Sequence, residues 1–128
     1  MTDKSRRDMK QRVVVSGLGM VTPLGVGKDE FCHRLFSGER GIGEIKSFDT
    51  KDFTSHLGAE VTNFSPRDFI SVKNLRRMDK ISPMAVVASR LALEDAKIKV
   101  TEENRDRIGI IPVSYTHLRA HETVLDLV

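Results

Sequence analysis

Three consecutive valines that run into two closely spaced glycines are the strongest structural signal in the sequence, in the stretch VVVSGLGMVTPLG at positions 13–25. Short β-branched runs that end at a glycine are typical of strands buried inside a sheet. The stretch therefore predicts a buried strand over residues 12–16 and a turn at Gly17 and Gly19. A strand followed by G-x-G can also open a dinucleotide-binding loop, so the turn has two interpretations.

The residues after the turn disfavour the dinucleotide interpretation. That fingerprint needs a third glycine and a helix that begins at once, but Thr22 occupies the third position and Pro23 follows it. The next helical pattern begins only near Lys28. We therefore expect the glycines to serve a tight strand-to-loop turn that requires glycine dihedral angles, and we expect no nucleotide cofactor.

Helical patterns follow the turn. Segment 28–37 (KDEFCHRLFS) has acidic residues in its first turn and Gly38 where a C-terminal cap is expected. Ser65, directly before a proline, begins a helical turn, and Ser82, also before a proline, begins the longest helix, SPMAVVASRLALEDAK. The alanines of that helix allow a close approach by whatever packs on it.

Two further short apolar segments predict strands, over residues 57–64 and 107–111. The elements then read strand, helix, strand, helices, strand, which predicts an α/β fold with a largely parallel sheet. The glycine-rich stretch between residues 38 and 53 predicts a loop. A chain of 128 residues is expected to form one domain with a core of its own.

Composition excludes several classes of protein. With 39% hydrophobic and 30% charged residues, the chain fits an ordinary soluble domain, and no apolar run approaches the ~20 residues of a membrane span. Residues 1–11 are polar and basic, which predicts a solvated leader and not a secretory signal. The single cysteine, Cys32, excludes an internal disulfide framework. We therefore expect a cytoplasmic protein without a membrane partner.

Candidate metal ligands and nucleophiles are weak in this sequence. His117 and His121 are spaced like a zinc-binding pair, but Glu122 is misplaced for a metalloprotease and no third ligand is obvious, so no metal site is predicted. Cys32 falls in the middle of a predicted helix, away from a helix N-terminus that would lower its pKa. We interpret it as a structural thiol.

A cluster of basic residues stands out more clearly. It comprises Lys73, Arg76, Arg77 and Lys80, with Asp79 as the only acid among them. Such a run is usually a solvated helix face, but its density also fits the docking of an acidic protein or a phosphate group. Nucleic acid is disfavoured because no aromatic residues are interleaved for base stacking.

Several linked motifs make most of the chain similar to one enzyme family. They are RVVVSGLGMVTPLG, FSGERGIGEIKSFDT, GAEVTNFSPRDFI, NLRRMDKISPMAVVASRLALEDA and TEENRDRIGII. Together they resemble the N-terminal part of the β-ketoacyl-acyl carrier protein synthase II family, the elongating condensing enzymes of type II fatty acid synthesis. The resemblance implies that residues 12–111 are an incomplete N-terminal half of a thiolase-like αβαβα fold, which is usually a homodimer.

The resemblance also implies a chemistry, a decarboxylative Claisen condensation that needs neither a metal nor a nucleotide. A cysteine accepts the acyl chain, and two histidines assist the attack of the malonyl carbanion. None of these catalytic residues is expected within this chain, because the family's nucleophile and both histidines fall after residue 128. Cys32 occupies a position that is not the nucleophile, and His117 and His121 match neither histidine motif.

The basic cluster gains a meaning from the same resemblance. Lys73, Arg76 and Arg77 fall on family positions implicated in docking the acidic acyl carrier protein. Two other interpretations stay open: a non-enzymatic module that binds an acidic protein, and a catalytically silent partner subunit. A longer reading frame with a cysteine at a helix start and two downstream histidines would separate them.

The last residues depart from the family. After RIGII the family continues into a glycine-rich loop, whereas residues 112–128 read PVSYTHLRAHETVLDLV. We expect this tail to be unrelated to the family, and from residue 113 it resembles a translated sequencing adapter. We therefore expect it not to be native to the gene. We also expect the chain alone to aggregate or stay molten, because a truncated sheet leaves apolar edges uncovered.

Overall fold

The computed structural model describes residues 12–79 and 81–111. Its longest element is helix α3 (Ser82–Asp95), and the core lies against it. Val86 and Val87 from α3 and Ile70 from the preceding segment are buried. Partly buried apolar side chains surround them: Val21, Val26, Phe64, Phe69, Leu75, Met78 and Leu91.

The described elements follow a simple order. Strands β1 (Val21–Thr22) and β2 (Gly25–Val26) lead into helix α1 (Lys28–Phe36), and strands β3 (Gly43–Glu44) and β4 (Leu57–Gly58) follow. A 3-10 helix (Pro66–Asp68) and the short helix α2 (Val72–Leu75) precede α3, and a second 3-10 helix (Arg105–Arg107) comes after it. Within these described residues no helix is long and apolar enough to cross a membrane.

Helices α1 and α3 begin where the sequence predicts and end within two residues of the predicted ends. α1 begins at Lys28, and Gly38 lies beyond its end with a φ of 76°, donating its N–H to the Leu35 carbonyl oxygen at 3.1 Å. Ser65 precedes the first 3-10 helix and α3 begins at Ser82. These predictions are confirmed because a proline in the first helical turn and a glycine after the last one act within a few residues of themselves.

The sheet predictions are largely wrong for the described residues. β1 pairs with β2 and β3 with β4, each as an antiparallel two-residue ladder, so no parallel sheet is present there. Only Leu57–Gly58 of the predicted strand 57–64 is paired, and the loop between 38 and 53 contributes its partner, Gly43–Glu44. The mixture of helices with strands that the α/β prediction requires is present, with very short strands.

The predicted strands 12–16 and 107–111 are likewise not strands in the structure, and they are not buried. Val13 is 97% exposed and Ile111 is 89% exposed. The physical reason is the lack of a neighbour: a β-branched run becomes a strand only where another strand supplies hydrogen bonds and cover. No described segment lies alongside either run as a ladder partner.

The turn glycines have a role that differs from the predicted one. Neither Gly17 nor Gly19 has a positive φ, so dihedral freedom is not what the turn requires. A Cβ built on Gly17 would lie 2.6 Å from the Ala96 nitrogen, and one on Gly19 would lie 2.5 Å from the Ala92 nitrogen. Both glycines therefore allow the chain to cross the alanine-lined face of α3 in direct backbone contact.

Candidate functional site

The three predicted docking cations lie together on an exposed part of the fold. Lys73 belongs to α2, Arg76 caps the C-terminal end of that helix, and Arg77 lies in the turn that follows. All three side chains are exposed. Lys80, the fourth predicted cation, lies outside the described residues. We refer to Lys73, Arg76 and Arg77 as the basic segment.

Contacts with α3 fix the chain before the basic segment. Ile70 is buried against Val86 and Val87, and the Phe64 and Phe69 rings stack with centroids 6.1 Å apart. The Arg90 guanidinium of α3 donates from Nη1 to the Phe69 carbonyl oxygen at 2.9 Å. The cations are therefore presented by a segment that is anchored in the core, although they are themselves in solvent.

A helix cap fixes the chain after the basic segment. The Asp79 carboxylate accepts the backbone N–H groups of Ile81 at 3.0 Å and Ser82 at 2.6 Å, at the start of α3. A carboxylate at a helix N-terminus satisfies unpaired donors and complements the helix dipole. The one acid within the predicted cluster is thus directed at the N-terminus of α3.

The cations of the basic segment are not paired with any described carboxylate, unlike Arg34 and Arg90. Arg34 pairs with Glu30 at 2.8 Å and Arg90 pairs with Glu94 at 3.4 Å, both along their own helices. Among residues 12–79 and 81–111, by contrast, no carboxylate pairs with any cation of the basic segment. Unpaired surface cations raise the local potential and attract acidic partners.

The sequence reasoning missed one neighbouring cation. Arg67 lies in the 3-10 helix Pro66–Asp68, which contacts both α2 and α3, and its side chain is exposed. No ion pair involves Arg67 within the described ranges. Its position six residues before Lys73 hides this proximity in the sequence. The Ser-Pro start predicts the turn that carries Arg67 but does not predict the contact of that turn with α2.

An ion pair connects the glycine turn with two helices on another part of the fold. The Asp95 carboxylate of α3 accepts the Leu18 backbone N–H at 2.9 Å and pairs with the Lys28 ammonium of α1. The Lys28 hydrogen bond, then the Leu18 N–H, lower the pKa of Asp95. The same hydrogen bond with Asp95 raises the pKa of Lys28. We call these three groups the Asp95 clamp.

The remaining candidate residues are not brought into a catalytic arrangement. Cys32 is half-buried in the middle of α1. Within the described part of the chain, no three histidine, cysteine, aspartate or glutamate side chains gather into a possible metal site. His117 and His121 lie outside the described residues.

The comparison with known sequences gives one consistent result. Residues 10–126 match the family model described as β-ketoacyl synthase, N-terminal domain. The chain is 41% identical over 102 residues to a 3-oxoacyl-[acyl-carrier-protein] synthase 2 of Synechocystis sp., covering 80% of this chain and 24% of that protein. A protein of the same name from Staphylococcus aureus is 37% identical over 100 residues. The chain thus spans about a quarter of the length of these curated relatives.

Solved structures give the same result. A β-ketoacyl synthase from Burkholderia phymatum superimposes with a TM-score of 0.60 and 34% identity, covering 75% of this chain and 24% of that one. The ishigamide ketosynthase/chain length factor superimposes with a TM-score of 0.60 and 33% identity, covering 71% of this chain and 22% of that one. The similarity therefore extends to the fold as well as to the sequence.

Proposed function

The chain belongs to the β-ketoacyl synthase family, and on that premise we propose that it is the N-terminal part of a condensing enzyme that elongates fatty acids. The observation that supports this most directly is the family match over residues 10–126, together with relatives named 3-oxoacyl-[acyl-carrier-protein] synthase 2. Residues 12–111 would form an incomplete N-terminal half of a thiolase-like αβαβα fold, and the whole enzyme would be a homodimer.

The proposed reaction is a decarboxylative Claisen condensation. A cysteine thiolate at a helix N-terminus, where the helix dipole lowers its pKa, attacks the carrier-bound acyl thioester and releases the carrier thiol. Malonyl-carrier protein then loses carbon dioxide, and its carbanion attacks the acyl-enzyme thioester and expels the cysteine. Backbone amides stabilise the oxyanion. We assign none of these catalytic roles to a residue of this chain, and the chain alone would be inactive.

The role that we assign to this chain's own residues is docking. Lys73, Arg76 and Arg77 would hold the acidic acyl carrier protein. Their exposure, their lack of described ion pairs and the anchoring of their backbone by Ile70 and Arg90 support this role. An anchored cationic surface suits a transient acidic partner, because electrostatic attraction speeds the encounter of the two proteins. The cations also do not have to break an ion pair with a described carboxylate before they bind.

Sequencing the genomic locus past the codon for Ile111 tests the catalytic proposal. We expect the native frame to continue into a glycine-rich loop, a cysteine at a helix start and two later histidines, in place of residues 112–128. A continued frame without the cysteine would instead favour a silent partner subunit. If clean genomic DNA encodes residues 112–128 as they stand, their assignment as foreign sequence would be contradicted.

A charge-reversal triplet tests the docking role in the protein encoded by the complete frame. Lys73→Glu, Arg76→Glu and Arg77→Glu together should weaken binding of acyl carrier protein roughly ten-fold or more, because repulsion replaces attraction at the contact. The matched control reverses Arg40, Lys97 and Lys99, which are exposed and have no ion pair among the described residues. Equal losses in both triplets would show that only net charge matters.

A further inference from the structure

Arg67 is an exposed cation on a different element from the one that carries the basic segment. It lies in the 3-10 helix Pro66–Asp68, and Cα atoms of that helix come within 8 Å of Cα atoms of α2. Arg67 is at most one residue from either end of this three-residue helix, and one residue step is about 3.8 Å. The Cα atom of Arg67 therefore lies within about 12 Å of the nearest Cα atom of α2.

Contacts with the core hold the backbone around Arg67 in place. The N–H groups of Phe69 and Ile70 both donate to the Pro66 carbonyl oxygen, at 3.2 and 2.9 Å. The Arg90 guanidinium of α3 donates to the Phe69 carbonyl oxygen at 2.9 Å, and Ile70 is buried against the same helix. The 3-10 helix itself also contacts α3. Because this anchoring precedes both α2 and the turn after it, Arg67 and the basic segment are presented with a fixed spacing.

The charge of Arg67 adds to the charge of the basic segment. Its side chain is exposed and forms no ion pair with a described carboxylate. Asp68 is the only acid of the 3-10 helix, and Asp79, after the basic segment, accepts the N–H groups at the start of α3. The Debye length is about 10 Å at 0.1 M salt, so charges at this separation still interact through solvent. Arg67 therefore extends the positive potential from α2 to the 3-10 helix.

We infer that Arg67 is a fourth docking residue, and that the acidic carrier protein binds across the 3-10 helix and α2 together. A transient interface covers about 600 Å² of each partner, which corresponds to a radius of roughly 14 Å. A carrier surface centred on α2 therefore reaches Arg67. Cations on two elements with a fixed spacing also set the orientation of the partner, which a single short helix does less well. The inference rests on the proposed docking role and adds to it a residue and a second element.

Charge reversal at Arg67 tests the inference in the protein encoded by the complete frame. Arg67→Glu should slow the association of acyl carrier protein roughly three- to five-fold at low salt, because repulsion replaces attraction at the edge of the contact. The difference from wild type should shrink as salt is added, since the Debye length falls to about 3 Å at 1 M. The measurement is the association rate constant over a series of salt concentrations. Arg40→Glu is the matched control, because Arg40 is exposed and has no ion pair among the described residues.

A reversal of the opposite sign controls for misfolding. Asp68 is exposed, and Asp68→Lys adds positive charge to the same 3-10 helix, so association should become about two-fold faster, which a damaged fold cannot produce. No gain in Asp68→Lys, or equal rates for Arg67→Glu and Arg40→Glu, would overturn the inference. If the triple reversal of the basic segment still weakens binding, the proposed docking role survives that result. No loss in either Arg67→Glu or the triple reversal would overturn both, and a loss in Arg67→Glu alone would overturn the shared surface.

Discussion

Gly17 and Gly19 owe their role to a contact with a helix that lies about seventy residues further along the chain. The backbone of Ala88, Ala92 and Ala96 occupies the space where a side chain at either glycine would stand. Small residues on both surfaces let two backbones approach closely, and dispersion contacts accumulate over the interface. The G-x-G spacing therefore reflects helix packing and not a nucleotide cradle.

Gly19→Ala should consequently destabilise the fold by roughly 1–3 kcal/mol, as overpacking of a tight contact does. The added methyl group would meet the Ala88 carbonyl oxygen and the Ala92 nitrogen, which are backbone atoms of a helix and cannot swing aside. The measurement is the melting midpoint of the protein encoded by the complete frame. Gly43→Ala is the matched control, since a Cβ there meets nothing within 4 Å. A Gly19→Ala protein with the same melting midpoint as the wild type would refute this account.

At the level of elements, nearby prolines and a glycine predicted the helix starts and the helix stop, which depend on interactions within one turn. The starts at Ser65 and Ser82 follow from the proline in the first turn of each helix, and the stop at Gly38 follows from a glycine with a positive φ; both signals act over one helical turn. The runs 12–16 and 107–111 have strand composition, yet strand formation depends on a partner that the described chain does not provide. The sequence could not show where such a partner comes from.

The Asp95 clamp is an element-scale feature that should respond to charge removal. Asp95→Asn keeps the shape of the side chain but loses the ionic attraction to Lys28 and weakens the bond from the Leu18 N–H. We expect the Leu18 amide to exchange with deuterium a few-fold faster in the complete protein. Asp52→Asn is the control, since Asp52 is exposed and has no partner in the described segments. Equal exchange in both variants would contradict the clamp.

The pH dependence of the clamp follows from its two pKa shifts. The lowered pKa of Asp95 gives a contribution that is present above the carboxyl's ordinary value, about 4, and is lost as pH falls through the folded value. The raised pKa of Lys28 gives a second contribution to stability. It is present below about pH 10 and is lost as the pH rises through the pKa of Lys28 in the folded protein. The protection of the Leu18 amide from deuterium exchange should therefore be constant between about pH 5 and 9. Below that range it should fall in the wild type but not in Asp95→Asn.

At the scale of the whole molecule, the position of the cationic cluster was easier to predict than the contacts between segments that are distant in the sequence. The cations Lys73, Arg76 and Arg77 lie close together in the sequence and in the structure, so the sequence alone located the cluster, and its docking role stays a proposal. Arg67 joins their neighbourhood through a fold-back that composition does not show. Ser16 and Gly17 line one cavity beside α3 together with residues 108–111, which lie about ninety residues further along the chain, and no local pattern predicts that these segments meet.

The exposed valines at positions 13–15 predict how the 128-residue chain behaves alone. Among the described residues the buried apolar core is small, and Val13 and Val15 offer other copies an apolar edge that no described strand pairs with. We expect aggregation, or a molten state that binds hydrophobic dyes and lacks a cooperative thermal transition. Lysine at positions 13 and 15 should raise the soluble fraction several-fold, because charged side chains block edge-to-edge pairing. Lysine at Thr54 and Ser71, which are exposed in other segments, controls for added charge. A soluble wild-type monomer with a single sharp melting transition would show that the described residues suffice for a stable fold.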